Sequence, residues 1–238
     1  MSMTEKSTTI DNAIEFRDKL NPKLWDEWEL NKEASKHLKY VAERFVKWLE
    51  VPLEIKDIWI LGSMASFNYS DSSDIDLHIY VDLSKFKDKD NIKELLETKT
   101  KLFKKLFPIR LFGIPIELTV EDDSNRAESP GIYSLVKDAW VKKPKKVDED
   151  EVETDVAGKI SGMWKKRIKA ALQNKSLDSD DLNDLKDEIK DQRRKALKKD
   201  GEFSDGNIAF KDLRKTGYID KIKNVRDAKF KKELSKPE

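Results

Sequence analysis

Between Asp74 and Asp82 the chain alternates without a break: Ile75, Leu77, Ile79 and Val81 fall on one side, Asp74, Asp76, His78 and Tyr80 on the other. A period of two belongs to a strand, in which successive side chains point to opposite faces. The segment must therefore lie in a sheet with one apolar face and one face that carries acids, which excludes an all-helical protein. A strand also fixes side-chain direction in a way a loop does not, so Asp74 and Asp76 are displayed together on one face. Two carboxylates held that close repel, and a divalent cation is the usual means of neutralising them.

The flanking sequence predicts the rest of an α+β chain, a small mixed sheet backed by helices. From Pro22 to Glu50, apolar residues between Leu24 and Leu49 recur at steps of three and four, predicting one long amphipathic helix, with a shorter one across Asp11 to Leu20. Pro52 ends it, and Ile58 to Leu61 reads as a strand closed by Gly62-Ser63. Asn91 to Phe107 returns to helical spacing. Ile109 to Phe112 and Ile114 to Val120, split by Gly113, predict a tight hairpin whose second arm shows Glu117, Thr119 and Glu121 on one face. Pro115 in that arm points to a short or edge strand. A further strand is expected around Gly131 to Val136, then a segment through Trp140. Lys142-Lys143-Pro144-Lys145-Lys146 and the acidic run Asp148 to Glu151 mark a change in composition, giving a core over 1–147 and a helical region over 148–238. That region is expected to hold helices across Val152 to Gln173 and Asp180 to Lys199, then two shorter ones across Asn207 to Leu234 after a loop bracketed by Gly201 and Gly206.

Composition narrows the chemistry. With no cysteine and only His37 and His78 as histidines, any metal has to be held by oxygen. The lack of cysteine fits a reducing compartment. No apolar run reaches the roughly 20 residues that span a bilayer, and Met1 to Ile10 has no stretch of signal-peptide type, so a cytoplasmic protein without membrane contact is expected. Lys and Arg number 48 against 47 Asp and Glu, which argues against a whole-surface polyanion binder. The distribution is uneven, with 25 basic and 29 acidic residues up to 150 and 23 basic and 18 acidic beyond.

Gly62-Ser63 ends a strand with a pair that lets backbone N–H groups and a hydroxyl approach a phosphate. Ten residues later come Asp74 and Asp76, and a later strand offers Glu117 between Ile116 and Leu118. A phosphate cradle, paired Asp and a third carboxylate are the parts of two-metal phosphoryl or nucleotidyl transfer.

The run Leu61-Gly62-Ser63, Asp74-Ile75-Asp76-Leu77 and Ile116-Glu117-Leu118 resembles the signature of the DNA polymerase β-like nucleotidyltransferase superfamily. Leu61 to Asp82, Gly131 to Pro144 and Gly201 to Tyr218 resemble, more narrowly, small nucleotidyltransferases often encoded by bacteriophages. The resemblance implies a nucleotidyltransferase fold whose helical C-terminal region closes the cleft. It implies that Gly62 and Ser63, with Ser73, bind the phosphates of an NTP, and that Asp74, Asp76 and Glu117 bind Mg2+ or Mn2+ and carry catalysis. The implied activity moves an NMP from the NTP to an acceptor: an RNA or tRNA end, a protein or a small molecule. A second-messenger synthase of the same fold and a non-catalytic nucleotide or nucleic-acid binder are the alternatives. Two departures stand out, since Met64-Ala65-Ser66-Phe67 replaces the Arg or Gly common after the Gly-Ser pair, and the third acid is Glu where Asp is frequent.

Other residues leave alternatives open. Glu121, Asp122 and Asp123 compete with Glu117 as third acid, and His78 shares the face of the Asp pair as a substrate contact or a supporting residue. Tyr133, Trp140 and Trp164 read as core or as base-stacking platforms. Lys142, Lys143, Lys145, Lys146, Arg193, Arg194, Lys195, Lys211 and Arg214 read as phosphate contacts or as solvated faces.

Overall fold

Asn31 decides where the first helix starts. Its side chain accepts hydrogen bonds from the backbone N–H groups of Glu33 and Ala34, so α1 runs Lys32–Trp48 in the computed structural model, which describes residues 14–235. The stretch expected to be helical from Pro22 is instead a two-stranded ribbon, β1 (Trp25–Asp26) against β2 (Glu29–Leu30). The physical reason is tertiary: the indole N–H of Trp25 donates to the carbonyl of Met64 at 2.8 Å, and its ring stacks on Trp140 at 4.7 Å. The helix expected across Asp11 to Leu20 lies partly outside the described residues, and 14–20 are irregular.

The chain divides into two compact units, Glu15–Asp148 and a second that begins at Glu149 and includes Ile14. The first contains β3 (Ile55–Leu61), β4 (Ile75–Val81), α2 (Lys89–Leu106), β5 (Arg110–Leu111), β6 (Ile114–Asp122), β7 (Ile132–Ser134) and β8 (Ala139–Lys142). They form a mixed sheet in the order β5-β6-β4-β3-β7-β8, in which β4 and β6 are parallel and the other neighbours antiparallel. Parallel neighbours need a crossover, and α2 supplies it. β6 spans nine residues, so the shortness suggested by Pro115 does not hold; Pro115 sits opposite Arg110 in the β5 hairpin, beyond which β5 no longer covers that edge.

One sheet face is apolar. Ile58, Ile60, Ile75, Leu77, Ile79, Val81, Ile116 and Leu118 pack with Leu38, Phe45 and Val46 of α1 and with Leu96 and Phe103 of α2. The other face holds a smaller cluster of Trp59, Leu61, Tyr80 and Ile132, together with the buried Asp57. That carboxylate accepts from Ser134 Oγ (2.6 Å), from Trp59 Nε1 (2.8 Å) and from Arg126 (3.3 Å), whose guanidinium lies over the rings of Trp59 and Tyr80.

The second unit is helical: α3 (Asp155–Gln173), α4 (Ser179–Asp200), α5 (Asp205–Lys215) and α6 (Tyr218–Leu234). Asp178 and Asp181 form a reciprocal capping box at the start of α4. Trp164, Ile168, Leu182, Ile189, Phe210, Leu213 and Ile222 make its core. Gly206, expected as the far end of a loop, lies in the first turn of α5, where a Cβ would come within 2.7 Å of Ala196 Cβ. Among the described residues, no helix is long and apolar enough to cross a membrane.

Candidate active site

Strand register assembles the acids. Leu61 at the end of β3 pairs with Asp76, and Asp76 is level with Glu117 across the parallel β4–β6 pair. Three neighbouring strands thus bring one row of residues onto the polar face, and Asp74, just before β4, joins it. One carboxylate oxygen each from Asp74, Asp76 and Glu117 lie within 4.8 Å of one another. An all-oxygen set of three carboxylates fits a hard divalent cation such as Mg2+ or Mn2+. Glu121, Asp122 and Asp123 do not enter this group: Glu121 approaches His78, Asp122 accepts from the N–H of Ser124, and Asp123 pairs with Arg126. Glu117 accepts a hydrogen bond from Lys104 of α2 at 2.9 Å. Both side chains are partly exposed, so this pair is screened by water.

Gly62 is the hinge of the site. Its φ of 73° is open to glycine at little cost, and a Cβ there would stand 2.1 Å from Asp76 Oδ2. The missing side chain is what lets the Asp76 carboxylate lie against the backbone. A single helical turn of the 3-10 type, Ser63–Ala65, follows. The ten residues after Ser63 fold back so that its hydroxyl donates to Ser73 Oγ at 2.9 Å, while the N–H of Ser70 donates to the same oxygen at 2.9 Å. Gly62, Ser63 and Ser73 are therefore adjacent to one another and to the acids. The N–H of Gly62 itself is taken by Ser129 Oγ at 3.0 Å, so a phosphate would have to be met by the groups that follow it.

Ser129 and Lys104 are the residues that sequence reading missed. Ser129 sits in the loop before β7, and Gly131 holds that loop close, since a Cβ there would fall 1.8 Å from the carbonyl oxygen of Ala65. Ser129 lies in no periodic pattern, its only local signal being the Pro130-Gly131 break, and Lys104 falls within the helical spacing of Asn91 to Phe107, which says nothing of the distant strand its side chain meets.

His78 lies one position further along the same face, level with Thr119. Its Nδ1 is 3.4 Å from Glu121 Oε2, yet the two atoms are buried without hydrogen-bond geometry between them. The aromatic candidates are structural. Tyr133 and Trp164 are buried, and Trp140 stacks on Trp25 and donates to the carbonyl of Trp28. Several basic candidates are engaged within their own unit: Lys146 with Asp18 (2.6 Å), Lys211 with Glu202 (2.5 Å), Arg193 with Asn207 (2.9 Å), and Arg194 with Asp191.

Comparison with protein-family models, curated proteins and solved structures finds no match.

Proposed function

We propose that the chain is a metal-dependent nucleotidyltransferase of the DNA polymerase β-like kind, moving an NMP from an NTP to a hydroxyl or phosphate acceptor. The observation that carries this reading is the convergence of Asp74, Asp76 and Glu117 beside the Gly62-Ser63 turn. The mixed sheet, with helices on its apolar face and acids at the strand ends of the other, is compatible with that fold.

In this reading an acceptor oxygen forms a bond to the α-phosphorus of the NTP, the bond from that phosphorus to the bridging oxygen breaks, pyrophosphate leaves, and the proton of a hydroxyl acceptor passes to solvent. Asp74, Asp76 and Glu117 would hold Mg2+, which when bound would supply positive charge for the phosphates and lower the pKa of the acceptor hydroxyl. The hydroxyls of Ser63 and Ser73 donate to the β- and γ-phosphate oxygens. Gly62 keeps the backbone close enough for that contact, and Ser129, by holding its N–H, fixes the turn before the phosphates arrive. Glu117, on the strand next to the Asp pair, orients the acceptor.

The test pairs turnover with binding. Wild-type protein is incubated with each α-labelled NTP, Mg2+ or Mn2+ and total cell extract, and label is followed into RNA, protein and small molecules. The double variant Asp74→Asn/Asp76→Asn is expected to lose transfer and to bind Mn2+ at least about tenfold more weakly by electron paramagnetic resonance, with an unchanged circular dichroism spectrum. Full activity in that variant would sink the assignment, and NTP binding by the wild type without transfer under either metal would replace it with the non-catalytic reading.

A further inference from the structure

We propose that the helical unit binds single-stranded nucleic acid through Tyr218 and the lysines gathered around its ring. α3 carries Lys159, Lys165, Lys166, Arg167 and Lys169 against one acid, Asp155. Three ammonium groups from two helices converge on one aromatic ring: Lys221 lies 4.8 Å from the Tyr218 centroid, Lys165 5.9 Å and Lys169 6.0 Å. Each cation gains a little from the ring quadrupole, but together they repel one another.

The local carboxylates compensate only one of them. Lys165 pairs at 2.6 Å with Asp212, a buried acid that also accepts from Ser161. Lys169 and Lys221 are exposed, and neither forms an ion pair within 4.0 Å among the described residues. Other cations of the unit do find partners, as Lys211 does in Glu202 and Arg167 in Glu188. The two lysines at Tyr218 are thus a local excess of positive charge, complementary to phosphates.

The ring narrows the class of polyanion. Tyr218 is half-buried, packed in part against the helical core, with the three ammonium groups within 6.0 Å of its centroid. A ring recessed among cations is a stacking platform for a base whose flanking phosphates reach the ammonium groups. A side chain that anchors in a lipid interface would protrude from the surface instead. This binding surface does not depend on the Asp74 centre or on nucleotidyl transfer.

The experiment is fluorescence anisotropy of the full chain with labelled oligouridylate and oligothymidylate of about 12 nucleotides, titrated at several KCl concentrations around 0.1 M. Wild type is expected to bind with strong salt dependence. Lys169→Glu/Lys221→Glu is expected to weaken binding at least about tenfold and to reduce the slope of log K against log salt by about 1.4, two contacts at roughly 0.7 each. Tyr218→Leu is expected to weaken binding about tenfold with little change of slope, and Tyr218→Phe to leave it unchanged. Thermal melts confirm that each variant is folded, and Asp74→Asn/Asp76→Asn serves as the control that retains oligonucleotide binding. The proposal is overturned if wild type does not bind, if the lysine variant binds equally well, or if Tyr218→Leu binds as wild type does, which would leave a mere phosphate patch. Capture of phosphatidylserine vesicles in place of oligonucleotide would overturn it too.

Discussion

At Gly62 the Asp76 side chain fills the space that a methyl group would need. Gly62→Ala is therefore expected to act twice. The positive φ costs alanine about 1 kcal/mol, and the clash moves either the turn or the carboxylate, for a total of about 1–3 kcal/mol in urea unfolding. Because Asp76 is displaced, Mn2+ affinity should fall at least about tenfold, more than a surface alanine substitution would cause. An unchanged Mn2+ titration would show that the Asp76 carboxylate does not depend on the missing Cβ. The Gly-Ser pair was visible in the sequence because it interrupts a strand pattern. Ser129, which holds the Gly62 N–H, was invisible because 67 residues separate the two.

At the scale of elements, the polar sheet face is held by groups that no period reveals. Asp57, though a carboxylate, is buried at the start of β3 and serves Ser134, Trp59 and Arg126 at once. Asp57→Ala leaves the Trp59 and Ser134 donors without their acceptor, while Arg126 keeps Asp123 as its counter-charge, so a loss of about 2–4 kcal/mol is expected in urea unfolding. A cost under about 1 kcal/mol would mean that the network relaxes onto water. β7 offers a pH probe. Burial, reinforced by the hydrogen bond that Tyr133 donates to Asp138 (2.9 Å), pushes the Tyr133 phenol up to about 12. A phenol whose pKa is raised in the folded state stabilises the fold fully below its unfolded pKa near 10, and that contribution disappears as pH climbs through about 12. The urea midpoint of the wild type should accordingly fall more steeply than that of Tyr133→Phe between those pH values, and parallel curves would contradict the shift.

For the whole molecule, the sheet core around Leu77 and the helical core around Ile168 share no residue. Two separate cores do not have to melt together. In scanning calorimetry of the full chain, Leu77→Ala is expected to lower one transition and Ile168→Ala the other, each substitution removing about 2–5 kcal/mol. A single transition moved equally by both would show that the units unfold as one.

Local period and punctuation were enough to read the strands through Ile60 and Leu77, the hairpin at Gly113 and the helices of the second unit, because such signals live within a few residues of chain. They failed at Trp25, where apolar steps of three and four imitate a helix, but the indole is drawn to Met64 and Trp140 and Asn31 starts the helix later. Thus the sequence by itself determined the acid-bearing strand face and the kind of chemistry such a face suits. Only the tertiary structure decided that Glu117, and not Glu121, stands level with Asp76, that Lys104 reaches it, and that Lys165, Lys169 and Lys221 meet at one tyrosine. The reason is that strand register and helix packing are fixed by contacts between residues distant in the chain, about which spacing along it carries no information.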